Sequence, residues 1–103
     1  MNDPKKALTM LGFSRKANQI VAGESSVKNS LFKKNELSLI IIATDLSFSR
    51  QRYWKNLALH FHLPCMIAFN KIEIGNAIGM SPRSVIGIKS KEMAEKIEKM
   101  LKI

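Results

Sequence analysis

Gly23, Glu24, Ser25 and Ser26 stand between the apolar run Ile20-Val21-Ala22 and the stretch Val27-Lys28-Asn29, and of all residues in the chain they are best suited to hold an anion. Glycine lets the backbone approach a ligand closely or turn with positive φ, and Glu-Ser-Ser after it can cap a helix whose first N–H groups lack partners inside the helix. A helix start of this kind favours phosphate. From these residues alone a plain helix cap is the simpler assignment, so the rest of the chain has to decide.

Charge tips the balance. Seventeen Lys and Arg stand against eight Asp and Glu, a formal net charge of +9 with a pI near 10.0, which makes a polyanion the leading class of partner. Nucleic acid and an acidic membrane surface both answer that description. No apolar run is longer than Leu39 to Ala43, far short of the roughly 20 residues that a membrane-spanning helix needs. The start, Met1-Asn2-Asp3-Pro4-Lys5-Lys6, lacks the apolar segment of a signal peptide, so a cytoplasmic location is expected and no membrane partner. With 103 residues, 46% of them hydrophobic, residues 1–103 are expected to form one domain around one core.

Other residue types with chemical potential carry less. Cys65 is the only cysteine and lies between Pro64 and the apolar Met66-Ile67-Ala68-Phe69, which excludes an internal disulfide and predicts a buried thiol. His60 and His62 are two apart, and on a helix such a pair points to different faces, unlike the four-residue spacing of a helical zinc site. No carboxylate pair and no Ser/His/Asp spacing nominates a general acid or base. The chain therefore reads as a protein without catalysis, metal or cofactor.

Alternating helical and extended patterns must position the Gly23 segment. Ala7, Leu8, Leu11 and Ala17 recur at helical spacing after Asp3-Pro4, predicting a helix from Pro4 to Ala17. Ile20 to Ala22 reads as a short strand. Val27 and Leu31 make Glu24 to Lys34 a second helix, with Lys28, Asn29, Lys33 and Phe32 outward. Leu37 to Thr44 shows no alternation, the pattern of a strand covered on both faces. Ser47 or Ser49 caps a third helix whose apolar stripe is Tyr53 or Trp54, Leu57, Ala58 and Phe61, while Arg50, Arg52 and Lys55 face water. Cys65 to Phe69 is a further buried strand, Lys71 to Ile78 a short helix ended by Gly79, Val85 to Ile88 the last strand, and Lys91 to Leu101 an amphipathic helix with a solvated charged face. This alternation implies a three-layer α/β/α sandwich.

The ordered landmarks are Gly23-Glu24, Ala43-Thr44-Asp45, Leu63-Pro64, the run Ile72-Glu73-Ile74-Gly75-Asn76-Ala77-Ile78-Gly79 and Val85-Ile86-Gly87-Ile88. Together they resemble the family of small ribosomal proteins that bind kink-turn RNA, specifically its bacterial YlxQ-like branch, from about Leu8 to Leu101. The resemblance implies a sandwich around a mixed four-stranded sheet, and non-catalytic binding of structured RNA, ribosomal RNA or another bent RNA, with the ribosome as a wider partner and no DNA. It implies that Gly23 lets the backbone approach the RNA while Glu24, Ser25 and Ser26 meet bases or phosphates, with Lys28 and Asn29 one turn on.

Readers of kink-turns in this family commonly carry Asn-Glu after the glycine and Lys four positions after the Asn. Here those places hold Ser25, Ser26 and Asn29. Lys28 is displaced by one residue, a rotation of about 100° around the helix, so it does not stand in for the missing lysine. The second RNA-facing segment implied is the loop Met80-Ser81-Pro82-Arg83-Ser84, where Met80, Ser81 and Pro82 offer contact and Arg83 clamps phosphate or stacks on a base. Thr44 and Asp45 would lie at the same edge, Asp45 capping the turn before the third helix. Arg50, Arg52, Tyr53, Trp54 and Lys55 interleave basic and aromatic residues as stacking surfaces do, but Trp54 falls on the apolar stripe and is expected to pack, leaving the arginines solvated. The alternative on the same fold is a protein-interaction module that has lost kink-turn recognition, which the neutral Ser25, Ser26 and Asn29 would explain.

Overall fold

A computed structural model describes residues 3–34 and 36–102. Among these residues the chain runs α1 (Pro4–Lys16), β1 (Ile20–Ala22), α2 (Glu24–Lys33), β2 (Leu39–Ile42), α3 (Phe48–His60), β3 (Cys65–Ile67), α4 (Lys71–Ala77), β4 (Val85–Ile88) and α5 (Lys91–Leu101). The strands form one mixed sheet in the order β1-β4-β2-β3.

Every residue of β2 is buried, and the alternation hidden in its uniform Leu-Ile sequence appears in what each side chain touches. Leu39 and Ile41 pack with Leu11 of α1, Ile74 of α4 and Ala94 and Ile97 of α5. Ile40 and Ile42 pack with Val27 and Leu31 of α2 and Trp54 and Ala58 of α3. A central strand between two helical layers needs apolar residues at every position, which is why the period of two was absent from the sequence. The three-layer sandwich follows.

Strand direction sets where the loops fall. β4 runs antiparallel to β1, pairing Ala22 with Ile86, and antiparallel to β2, pairing Ile42 with Val85. β3 runs parallel to β2, pairing Ile42 with Ile67. The C-terminal ends of β1, β2 and β3 and the N-terminal end of β4 therefore share one end of the sheet.

Ladder ends differ modestly from the expected bounds. β2 is shorter than the run from Leu37 to Thr44 because its neighbour β4 spans only Val85–Ile88, although Ser38 still donates to the Ile88 carbonyl and Ala43 to that of Ser84. β3 stops before Phe69, whose φ of 66° turns the chain out of the strand. As an edge strand β3 leaves the Cys65 thiol half-buried rather than buried. Burial still pushes the thiol pKa up to about 11, against the nearby charge of Lys55. Ala17 lies outside the core because it is the exposed C-cap of α1.

Helix ends are closed by a repeated device. After α1, α3 and α4 the chain enters the left-handed region at Asn18, His62 and Gly79. At each, two backbone N–H groups return to the last turn: Asn18 and Gln19 to Arg15 and Ser14, His62 and Leu63 to Leu59 and Ala58, and Gly79 and Met80 to Asn76 and Gly75. This is the Schellman pattern. His62 thus has a backbone role.

Candidate nucleic-acid interface

Three segments distant in sequence meet at the shared end of the sheet. The Gly23 N–H donates to the Val85 carbonyl at 2.8 Å, and the Ala43 N–H donates to the Ser84 carbonyl at 2.8 Å. The start of α2, the exit of β2 and the loop 80–84 are thereby held side by side. Phe69 joins them, accepting from the Thr44 N–H at 2.7 Å.

Gly23 is the N-cap of α2, with φ 98° and ψ 149°, and no side chain caps the helix. The expectation that Glu-Ser-Ser would cap it is corrected: the cap position falls one residue earlier, on a residue without a side chain. Its carbonyl still accepts from the Val27 N–H at 2.9 Å, closing the first turn. Ser25, Ser26 and Asn29 are exposed on the helix, so the N-terminal N–H groups of α2 open toward small, uncharged side chains.

Glu24 turns the other way. Its Oε1 accepts from Arg50 Nη2 at 2.6 Å and from Trp54 Nε1 at 2.7 Å, so the carboxylate joins α2 to α3. Partial burial pushes its pKa up, but the hydrogen bonds from Arg50 and Trp54 and the charges of Arg50 and Lys28 outweigh this and hold it below the ordinary value. The same pairing raises the pKa of Arg50. Lys28 also faces α3, its ammonium 5.0 Å from the centre of the Tyr53 ring, and the Arg50 guanidinium lies 4.5 Å from the same ring. Such cation–ring contacts fix both cations against an aromatic face. Lys28 and Arg50 are therefore not free, solvated charges as the sequence suggested. Trp54 is fully buried, as its place in the stripe implied. The spacing of Arg50, Tyr53 and Trp54 at i, i+3 and i+4 was the available signal that one face of α3 carries all three.

Ser26 and Asn29 line a groove of about 270 Å³ with Lys33, Lys34 and Lys89. Glu36 is in the same groove and pairs with Lys89 at 3.7 Å. Lys33 therefore shares a surface with the start of α2. Arg15 sits in the last turn of α1, just before β1 begins, and so at the opposite end of the sheet.

The loop 80–84 is shaped from within. Arg83 Nη1 donates to the Ser81 carbonyl at 3.0 Å, to Ser81 Oγ at 2.6 Å and to the Pro82 carbonyl at 3.1 Å. One nitrogen of its guanidinium thus braces the loop's own curvature, with Ser81 and Pro82 exposed and Met80 packed against the core. Gly75 lets α4 lie directly on this loop: a Cβ there would be 2.5 Å from the Ser81 carbonyl oxygen. The glycine thus serves contact between α4 and the loop. Thr44 is exposed beside it. Asp45 accepts from the Lys71 N–H at 3.1 Å, adding a long-range acceptor to the start of α4, whose N-cap is Asn70 in a capping box with Glu73, while Ser47 caps α3 by accepting from the Arg50 N–H. The expected role of Asp45 before α3 is corrected accordingly.

Residues 5–98 match the ribosomal protein L7Ae/L30e/S12e/Gadd45 family. The chain belongs to this family. Its fold is also that of a protein with unknown function from Bacillus halodurans, with a TM-score of 0.86 and 25% identity over 92% of this chain and 95% of that one. A Giardia lamblia 15.5kD RNA binding protein is similar as well, with a TM-score of 0.71 and 20% identity over 91% of this chain and 86% of that one. No curated protein matches the sequence. The family match covers α1 through most of α5, and so includes all three segments gathered at the end of the sheet.

Proposed function

We propose that this chain, as one RNA-binding domain over residues 1–103, binds structured RNA without catalysing a reaction. The RNA is bent, kink-turn-like or ribosomal, and the partner in the cytoplasm is a ribonucleoprotein of the translation apparatus. The observation that carries this reading is the convergence of the Gly23 helix start, Thr44 and the loop 80–84, tied by the bonds from Gly23 to Val85 and from Ala43 to Ser84. An uncapped helix start holds unsatisfied N–H groups and a positive dipole end toward phosphate. Ser25, Ser26, Asn29 and Ser81 supply hydroxyls and an amide for bases and sugars, and Pro82 an apolar contact. Membership in a family named for ribosomal proteins supports the same reading.

A gel-shift with a kink-turn RNA and a straight duplex of equal length tests it. The bent RNA is expected to be retarded at lower protein concentration than the duplex. Equal retardation would leave only charge attraction. No retardation of either would favour the protein-docking alternative, for which the withdrawal of Glu24 and Lys28 toward α3 is the supporting observation.

A further inference from the structure

α3 contains three cations, Arg50, Arg52 and Lys55, and no Asp or Glu. Arg50 is neutralised by Glu24. Arg52 and Lys55 are exposed and form no ion pair among the described residues. They lie four and seven positions after Phe48, a spacing that puts all three on one face of the helix. Phe48 is 84% exposed, more than any other large hydrophobic side chain described. With Gln51 and Asn56 these residues line a shallow groove of about 260 Å³.

The groove adjoins the interface described above. Gln51 Nε2 donates to the carbonyls of Thr44 and Leu46 at 3.3 and 3.0 Å, so the wall of the groove is bonded to the segment that leaves β2 at the RNA-facing end. An exposed aromatic ring, amide side chains and two unpaired cations match the parts list of a single-strand site: a π face for a base and charges for the backbone. An acidic protein segment would satisfy the cations but has no use for an isolated ring beside two amides. We propose that the Phe48-Arg52-Lys55 face of α3 is a second contact, which takes an unpaired RNA segment flanking the bent RNA. This rests on the RNA-binding reading above. From Phe48 to Lys55 the helix rises about 10 Å at 1.5 Å per residue, and a stacked strand advances about 3.4 Å per nucleotide, so the face matches about three nucleotides.

The test compares one kink-turn RNA with blunt ends and the same RNA carrying a short oligoadenosine tail. Wild type is expected to bind the tailed RNA about five- to ten-fold more tightly, at constant salt. Phe48→Ala should abolish this gain, Phe48→Tyr should keep it, and Arg52→Ala with Lys55→Ala should reduce it, while none of them changes affinity for the blunt RNA beyond about two-fold. Phe48 is nearly fully exposed, so its truncation leaves the fold intact, and a melting curve confirms that. Absence of a gain in wild type, or a gain that survives Phe48→Ala, overturns the proposal while leaving binding of the blunt RNA in place. Failure of wild type to bind the blunt RNA instead removes the RNA reading and this face with it. Binding of an acidic leucine-containing peptide that Phe48→Ala abolishes, with no gain from the tail, would make the face a protein-docking site and also overturn it.

Discussion

Trp54 Nε1 donates to Glu24 Oε1 at 2.7 Å, and this bond joins the first residue of α2 to the middle of α3. The indole is fully buried, so its single donor depends on that one carboxylate.

Replacing Glu24 with Ala should therefore cost about 1 to 3 kcal/mol, the penalty for a buried donor left unsatisfied. Glu24→Gln keeps an acceptor and should cost less. Thermal melts of the two variants check the order, and equal losses would mean that the ion pair with Arg50, rather than the indole bond, is what matters.

The same carboxylate gives a pH dependence. Its folded pKa lies below the ordinary 4.5, so the ionised form is favoured in the folded state, and its contribution is complete above that value and lost as pH falls through the folded pKa. Wild type should exceed Glu24→Gln in melting temperature near neutral pH by a margin that shrinks as the pH is lowered beyond 4.5. A margin that grows on acidification would contradict this.

Gly75 and Gly79 should fail for different reasons. A Cβ on Gly75 would meet the backbone of Ser81 and Pro82 at 2.5 to 2.9 Å, a clash that only movement of the loop relieves, so Gly75→Ala should cost about 2 kcal/mol. It should also weaken RNA binding. Gly79 has nothing within 4 Å and only its φ of 69° to defend, so Gly79→Ala should cost about 1 kcal/mol and leave RNA affinity unchanged. Melts and titrations on both variants separate the two effects.

His62 occupies a left-handed position, φ 58°, at the end of α3. His62→Gly should be tolerated and stabilise by up to about 1 kcal/mol by removing the Cβ strain, a rise of several degrees in melting temperature. A large loss would mean that the imidazole contributes more than its backbone.

Ser25→Asn, Ser26→Glu and Asn29→Lys together restore the pattern of stronger kink-turn readers at exposed positions of α2. The triple variant is expected to gain ten-fold or more, roughly the value of one or two good base contacts by analogy with DNA, on bent RNA and much less on a duplex. Arg83→Ala should weaken both by loosening the loop it braces. Equal gains on both RNAs would show that the new lysine acts only as charge.

Much of the fold was legible because its signals are local. The apolar run of β2, the helical spacing of Val27 and Leu31, and the glycine after α4 each report on their own neighbourhood. The direction of Lys28 was not legible: the helical pattern placed it outward, and the one-residue displacement showed only that it does not stand where the missing lysine would. Tyr53 as its destination depends on how α2 and α3 lie against the sheet. Asp45 accepting from the first N–H of α4 across a gap of 26 positions left no trace in the sequence, and nor did Arg83 folding back on Ser81. Both arise where separate loops meet, and no periodicity records that.

The last strand in chain order, β4, is inserted between β1 and β2. A chain emerging from the ribosome cannot complete this sheet until Val85–Ile88 has been made, because β1 and β2 have no ladder with one another before then. The same event supplies the carbonyls to which Gly23 and Ala43 are bonded. Synthesis of Val85–Ile88 is therefore the step at which the end of the sheet that carries the proposed RNA contact is assembled, and products that stop before it lack the bonds that hold Gly23 and Ala43 there.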